Sequence, residues 1–482
     1  MAFLIGGANT LDDAYEISNS LRFNDDDSPS LSRANDSGGS NTTGTLSFWA
    51  KRCEINTSYL FYARSDDSNV FNVYFSNAAT SRLEIRSTQG GSTDFQYKTN
   101  MKFRDPAAWY HVVIAIDTTD GTAADRCKLF VNGSRITSFE TQTNFDQNDT
   151  IELFQSDATV YVGGEFEGGT IGSNTNDGYI ADLNFVDGTQ YDASYFGKTN
   201  ANGVWVPKKF TGTQGTNGFR LEFQQTGTSA NASGMGADTS GNGNHLTPSN
   251  LAAGDVTTDT PTNNFATLNP LNSSANATLS EGNTKHTNDG GNDQASAATM
   301  GFANGKWYWE IKCVDKAEVG INLNSDILQL SNDSSVGFND ANVKATALVT
   351  NSAGGSNDLR HNGSNESITS VSVSDNDIIN IAVDADNGKI WFGKAGTWFG
   401  SGDPAAGSNE SKDFSGEYTS GNFITPVGLI ATGDGDIYEA NFGNPSFSIS
   451  SGNADGNGYG NFEYAVPSGF YALCTKNLAE YG

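Results

Sequence analysis

Gly305-Lys306-Trp307-Tyr308-Trp309-Glu310-Ile311-Lys312-Cys313 is the stretch that decides the fold. Trp307, Trp309, Ile311 and Cys313 fall on one side of an extended chain, and Tyr308, Glu310 and Lys312 fall on the other. Strict alternation of this kind is the mark of a half-buried β-strand. Two tryptophans on one face need a sizeable β-core to receive them.

The same grammar runs outward in both directions. Downstream lie Val319-Gly320-Ile321, then Asp377-Ile378-Ile379-Asn380-Ile381-Ala382-Val383-Asp384, then Lys389-Ile390-Trp391-Phe392-Gly393, and Ile424 to Ala431. Upstream lie Leu46 to Ala50, Tyr59 to Ala63, Val70 to Phe75, and the apolar run Trp109 to Asp117, fit for a central strand. Asn132-Gly133 between Lys128-Leu129-Phe130-Val131 and Ser134-Arg135-Ile136 predicts a hairpin with a type I′ turn. No ten-residue stretch carries a helical period. Strands so spaced, with no helices between them, predict an all-β chain of two antiparallel β-sandwich, jelly-roll-like domains.

An aromatic-poor gap separates the two. Between Phe223 and Phe302 the only aromatic is Phe265, and between Arg220 and Met300 the only basic residue is Lys285. Such a stretch buries too little apolar surface to make a core of its own. The expected division is an N-terminal segment 1–20, a first domain 21–225, a Gly/Ser/Thr/Asn-rich connection 226–300 and a second domain 301–482. Turns order parts of the connection, at 238–244 and 259–265.

At 482 residues the chain exceeds one core. It carries 27 basic and 56 acidic residues, a net charge of -29. That argues against nucleic acid, whose binding draws on basic surface, and against anionic membranes. No apolar run is long enough to predict a membrane-inserted helix. Cys53, Cys127, Cys313 and Cys474 are widely spaced without a CxxC pair, so no zinc or redox site is expected. The start, Met1 to Asn9, has no basic residue and only a short apolar run, so no signal peptide is expected.

No H-E-x-x-H, G-x-S-x-G or P-loop occurs, and His111, His245, His286 and His361 are scattered. His111, inside an apolar strand, reads as a packed residue. Glu165-Phe166-Glu167 places two carboxylates on one face but reads as a solvated loop. No cofactor is expected, with Ca²⁺ as the exception to test. Its candidate ligands are Asp25-Asp26-Asp27, Asp384-Ala385-Asp386 and Asp434-Gly435-Asp436, none with the EF-hand pattern. Each also reads as an Asp-rich turn capping a strand. Trp205, Trp391 and Trp398 are the candidates for stacking on sugar rings. Trp391 reads as core and Trp398 as partly exposed.

Several phrases resemble known families. Leu46-Ser47-Phe48-Trp49-Ala50-Lys51-Arg52, Trp109-Tyr110-His111-Val112-Val113, Leu129-Phe130-Val131-Asn132-Gly133 and Gly178-Tyr179-Ile180-Ala181-Asp182-Leu183 are similar, in that order, to a laminin-G or concanavalin A-like jelly roll over residues 20 to 225. The glycosidase motif E-x-D-x-x-E of such folds is absent. Trp307-Tyr308-Trp309-Glu310, Asp377 to Asp384, Gly388-Lys389-Ile390-Trp391-Phe392-Gly393-Lys394-Ala395-Gly396-Thr397-Trp398 and Pro426-Val427-Gly428-Leu429 resemble SPRY domains, with Ala395 where Asn is usual. Ala2 to Asn9, Ser20 to Asn24, Asp259 to Phe265 and Pro467 to Thr475 resemble virion structural proteins of marine bacteriophages, cyanophages especially.

The last resemblance implies a non-enzymatic virion component, a tail fibre, tail appendage or capsid-surface protein, assembled in the bacterial host cytoplasm. Its partners would be other virion proteins of tail or capsid, and a host cell-surface glycan or protein. A symmetric homo-oligomer is expected, although no heptad stem occurs. The competing expectations are a tail-borne polysaccharide hydrolase using the jelly roll and a bacterial adhesin.

Overall fold

The computed structural model of the chain describes residues 15–482 apart from 173, 291–292, 316, 324–337, 339–343, 351–357, 369–370, 418–422 and 431–434. The fold is nearly all-β, and among the described residues the only α-helix is Thr475–Tyr481. Two compact units form among the described residues, one ending at Thr262 and the other spanning Asn263–Gly482.

The first unit stacks two antiparallel sheets. One follows the order β10 (Ser134–Arg135), β9 (Cys127–Val131), β8 (Trp109–Asp117), β3 (Thr43–Arg52), β15 (Gly178–Asp187), β1 (Ser20–Phe23) and β20 (Val256–Thr257). β18 (Phe219–Leu221) also pairs with β15. The other follows β11 (Phe139–Thr143), β7 (Ser92–Lys102), β6 (Arg82–Gln89), β5 (Asn69–Phe75), β4 (Ser58–Asp66), β12 (Thr159–Val162), β2 (Ser30–Ala34) and β19 (Thr247–Ser249). Small hairpins β13–β14 (Phe166–Glu167, Thr170–Ile171) and β16–β17 (Gly197–Thr199, Trp205–Pro207) complete it.

Alternation decides which side chains meet. Leu46, Phe48, Val112, Ile114, Leu129 and Ile180 of one sheet share a buried cluster with Phe61, Phe71, Val73, Ile85 and Phe95 of the other. The run Trp109–Asp117 is central, flanked by β3 and β9. The predicted hairpin forms, with positive φ at both Asn132 (46°) and Gly133 (76°).

The second unit repeats the plan. One sheet runs β21 (Leu268–Ser273), β24 (Gln294–Ala298), β34 (Thr425–Ile430), β26 (Glu318–Asn322), β27 (Ala345–Val349), β28 (Asp358–His361) and β29 (Ser364–Glu366). Its partner runs β22 (Ala277–Ser280), β23 (Lys285–Asn288), β35 (Ile437–Asn441), β25 (Lys306–Cys313), β30 (Asp377–Asp384), β31 (Lys389–Lys394) and β32 (Thr397–Trp398). β33 (Lys412–Asp413) pairs with β31, and β36 (Tyr471–Ala472) pairs with β25 in parallel.

Residues 226–300, aromatic-poor, supply strands to both units. β19 and β20 extend the edges of the first unit's sheets, and β21 to β24 build edges in the second. They need little apolar bulk because ladder hydrogen bonds and neighbouring cores stabilise them. Asp238 organises the 238–244 turn: its carboxylate accepts from the backbone N–H of Arg220, Ser240 and Asn244.

The Trp strand is buried on both faces, where alternation alone predicts one. Trp307, Trp309, Ile311 and Cys313 lie in the main core. Tyr308 lies on the opposite face, under a second cluster with Trp391, Phe462, Phe470 and Ala472. The chain after β35 returns and covers the outer face of its own sheet.

Candidate functional site

In the first unit's first sheet, the registers bring three strand ends together. Phe23 at the end of β1 lies opposite Gly178 at the start of β15, and Gly178 lies opposite Arg52 at the end of β3. Asp25, Asp177 and Glu54 sit one or two residues beyond that row. Their carboxylate oxygens all lie within 4.8 Å of one another. Gly178 permits the convergence: at φ 153°, a Cβ there would sit 2.3 Å from the Lys51 carbonyl oxygen. Burial, and then the charges of Glu54 and Asp26, push the Asp25 carboxyl up to about 6.

An all-oxygen donor set suits a hard cation, Ca²⁺ or Mg²⁺, rather than zinc. Three converging carboxylates fit part of a Ca²⁺ shell of six to eight oxygens. Of the Asp25-Asp26-Asp27 triplet, Asp25 enters the cluster while Asp26 and Asp27 are exposed. Glu54 and Asp177 escaped sequence reasoning because no local motif links them. Asp384-Ala385-Asp386 does not join a carboxylate cluster among the described residues. Asp384 pairs with Lys306 at 3.1 Å and caps the turn at Asn387, and Asp386 accepts from the Gly305 N–H. Asp434 lies outside the described residues. Glu165, expected in solvent, is instead buried, and its Oε1 accepts from Asn174 Nδ2 at 2.7 Å. A loop carboxylate without solvent is held by the turn it organises; Glu167 is exposed.

The outer face of the second sheet carries a run of rings. Tyr74 stacks on Tyr59 (4.9 Å), Tyr59 meets Tyr62 edge-on (5.9 Å), Tyr62 meets Tyr161 (6.4 Å), and Tyr161 stacks on Phe166 (4.9 Å). Register explains the line, since Tyr161, Tyr62, Asn72, Arg86 and Gln96 form one row across β12, β4, β5, β6 and β7. Tyr59, Tyr74, Tyr161 and Phe166 are half-buried. Arg64 donates to the Phe166 carbonyl at 2.9 Å and lies over its ring. Beneath the rings, Asn72 is 1% exposed and its Oδ1 has no hydrogen-bond partner among the described residues. The loop that carries Phe166 also carries Asp177.

Hydroxyl–imidazole contacts occur at His111, His286 and His361 among the described residues. His111 Nε2 lies 3.0 Å from Ser47 Oγ, while its Nδ1 accepts from Trp205 Nε1 at 3.0 Å. Burial holds the His111 pKa down to about 3. In the second unit, Thr346 Oγ1, His361 and Glu417 form a chain of 2.9 and 2.8 Å contacts. Ser47, His111 and Thr346 are buried, so these groups brace packing. Trp391 is fully buried, and Trp398 and Trp205 are half-buried. All four cysteines are buried and none is bridged; burial pushes the Cys313 thiol up to about 12.

Residues 24–193 match the family profile of the concanavalin A-like lectin/glucanases superfamily. Three solved structures have similar segments. The SPRY domain of human HERC1 is 16% identical, covers 36% of this chain and 96% of its own, and has a TM-score of 0.28. The SAP-like pentraxin of Limulus polyphemus is 20% identical over 37% of this chain and 80% of its own, at 0.27. The TRIM65 PSpry domain is 14% identical over 36% and 91%, also at 0.27. No curated protein sequence matches the chain. Among the described residues, no helix is long and apolar enough to cross a membrane.

Proposed function

We propose that this chain is a non-enzymatic binding protein whose first module takes hold of glycans. The observation that carries this reading is the run Tyr74, Tyr59, Tyr62, Tyr161 and Phe166 on one outer sheet face. Tyr62 is buried and links the others, while the half-buried rings of Tyr59, Tyr74, Tyr161 and Phe166 present apolar surface at low entropic cost, which suits the apolar faces of sugar rings. Neighbouring strands lie about 4.8 Å apart, so successive rings step along an extended polysaccharide. Arg86, partly exposed in the same row, offers a polar contact beside them. A divalent cation held by Asp25, Glu54 and Asp177 would supply a Lewis-acidic contact for sugar hydroxyls.

Retention of the purified chain on a panel of cell-surface polysaccharides tests this, with Ca²⁺ and with chelator. Tyr74→Ala with Tyr161→Ala should weaken retention by about tenfold or more, since each lost ring contact costs about 0.5–1.5 kcal/mol. Unchanged retention would sink the ring-face reading. Glu54→Gln or Asp177→Asn should remove whatever difference Ca²⁺ makes.

At the finer level, the chain is a component of a bacteriophage particle, facing other virion proteins on one side and the host surface on the other. Support comes from the phrases at Ala2 to Asn9, Ser20 to Asn24, Asp259 to Phe265 and Pro467 to Thr475. The N-terminal segment would anchor the chain to the particle, and deletion of residues 1–14 tests this. Ile17 and Ser20 are buried, and Ser20 Oγ bonds the Asp259 carbonyl oxygen, so a longer deletion would damage the first unit. Normal incorporation into particles after that deletion would remove the N-terminal anchor.

The raised pKa of Asp25 beside two carboxylates favours a second reading, acid–base hydrolysis of polysaccharide. Reducing ends released by the native chain and abolished in Glu54→Gln, with binding retained, would establish hydrolysis over simple binding.

A further inference from the structure

The second unit holds a polar cavity unrelated to the ring face. Lys285, Glu439, Lys312 and Ile378 form one row across β23, β35, β25 and β30. They lie on the face opposite the tryptophan core, where the returning chain stops covering the sheet. Ser446, Phe447 and Ser448 wall the row on one side, and Glu281 and Asn376 help close it. The cavity, open to solvent, has a volume of about 380 Å³. That lies within the range of small-molecule sites.

The polar groups here are unequally matched. Lys312 Nζ is 3.6 Å from Glu439 Oε1 and lies over the Phe447 ring. The other carboxylate oxygen, Glu439 Oε2, is buried without a hydrogen-bond partner among the described residues, as is Ser446 Oγ. Lys285 faces Glu439 in register yet forms no ion pair among the described residues. Among the described residues the Lys285 ammonium is in no ion pair although Glu281 and Glu439 line the same cavity, and Glu439 Oε2 and Ser446 Oγ have no hydrogen-bond partner. Glu439 Oε2 and Ser446 Oγ are costly to leave unmatched, and a ligand that also meets the partly exposed Lys285 ammonium gains a charge-assisted contact.

We infer that this cavity binds one acidic sugar residue, a ring bearing both a carboxylate and hydroxyls. Its carboxylate meets the Lys285 ammonium, a ring hydroxyl donates to Glu439 Oε2, and a second hydroxyl bonds Ser446 Oγ. A neutral sugar leaves Lys285 unmatched. A simple amino acid lacks the ring hydroxyls. The site stands or falls independently of the first unit.

Titration of the full chain with glucuronate, glucose and glycine, followed by ligand-observed NMR and calorimetry, tests the inference. Glucuronate should bind, with glucose about tenfold weaker or worse, as expected for one lost charge-assisted contact. Lys285→Ala and Ser448→Trp should each abolish or weaken glucuronate binding about tenfold. Thermal melting like the native chain's shows that both variants fold, since Lys285 is partly exposed and Ser448 exposed. Absence of glucuronate binding at millimolar concentration, equal binding of glucose, tighter binding of glycine, or indifference to Lys285→Ala would each overturn it.

Discussion

Ala395 occupies the first position of the turn joining β31 to β32, at φ 51°, followed by Gly396 at 74°. Left-handed backbone costs an alanine about 1–2 kcal/mol, and asparagine tolerates it better. Ala395→Asn should therefore stabilise the second unit by about 1 kcal/mol, read as a higher denaturant midpoint. A lower midpoint would mean the turn does not strain alanine. The sequence exposed this position, because the departure from Asn was visible in the phrase itself. Lys51 and Asp259 were not visible as a pair. Their side chains are fully buried and 2.8 Å apart, with Trp109 Nε1 donating to the same carboxylate at 3.2 Å. Asp259 belonged to a stretch whose only legible property was its turn residues, and 208 positions separate it from Lys51. Asp259→Ala leaves an ammonium in the interior and should cost about 3–5 kcal/mol. Lys51→Met with Asp259→Leu should recover a large part of that loss in chemical denaturation. Failure to recover would locate the damage in Trp109 rather than in the stranded charge.

The Trp strand shows what alternation reveals about an element and what it leaves out. The two faces were legible, and the tryptophans do point into the main core. Burial of the second face was not, because its cover comes from Phe462, Phe470 and Ala472, far along the chain in Gly-rich surroundings. Glu310 fastens that cover. Its carboxylate accepts from the backbone N–H of Glu463 (2.9 Å) and Tyr464 (2.8 Å), from Asn441 Nδ2 and from Tyr308 Oη. A buried carboxylate is tolerated only with its lone pairs satisfied in this way. Glu310→Ala should cost about 2–4 kcal/mol, since four donors lose their acceptor. Hydrogen exchange should rise across 442–474 and leave the first unit unaffected. Uniform exchange over the second unit would show that the cover is part of the core's own folding unit.

At the scale of the molecule, the all-β fold was legible because strand periodicity is local. The carboxylate rim was not, because Asp25, Glu54 and Asp177 meet only after three strands pair in register. The ring run was half legible: each tyrosine stood in a recognised strand, but its outward face depended on pairing and on the bulge between Tyr59 and Phe61. One consequence spans both units. Each buries a neutral histidine, His111 in the first and His286 in the second, and burial holds both pKa values near 3. His111 Nδ1 accepts from Trp205 Nε1 and so cannot take a proton without losing that bond. In the unfolded chain each histidine titrates near 6.5. Between those values the unfolded chain binds a proton that the fold refuses, so stability is present above about pH 6.5 and drains away as pH falls. Each histidine should account for roughly 1–3 kcal/mol of loss by mildly acidic pH. The carboxylates add their own pH dependence, so the comparison must be a difference. His111→Gln and His286→Gln will lower stability at neutral pH, but the further loss on acidification should be smaller than in the native chain. Fluorescence-monitored denaturation at neutral and mildly acidic pH measures both quantities. An undiminished acid loss in either variant would mean that histidine is already protonated in the folded protein.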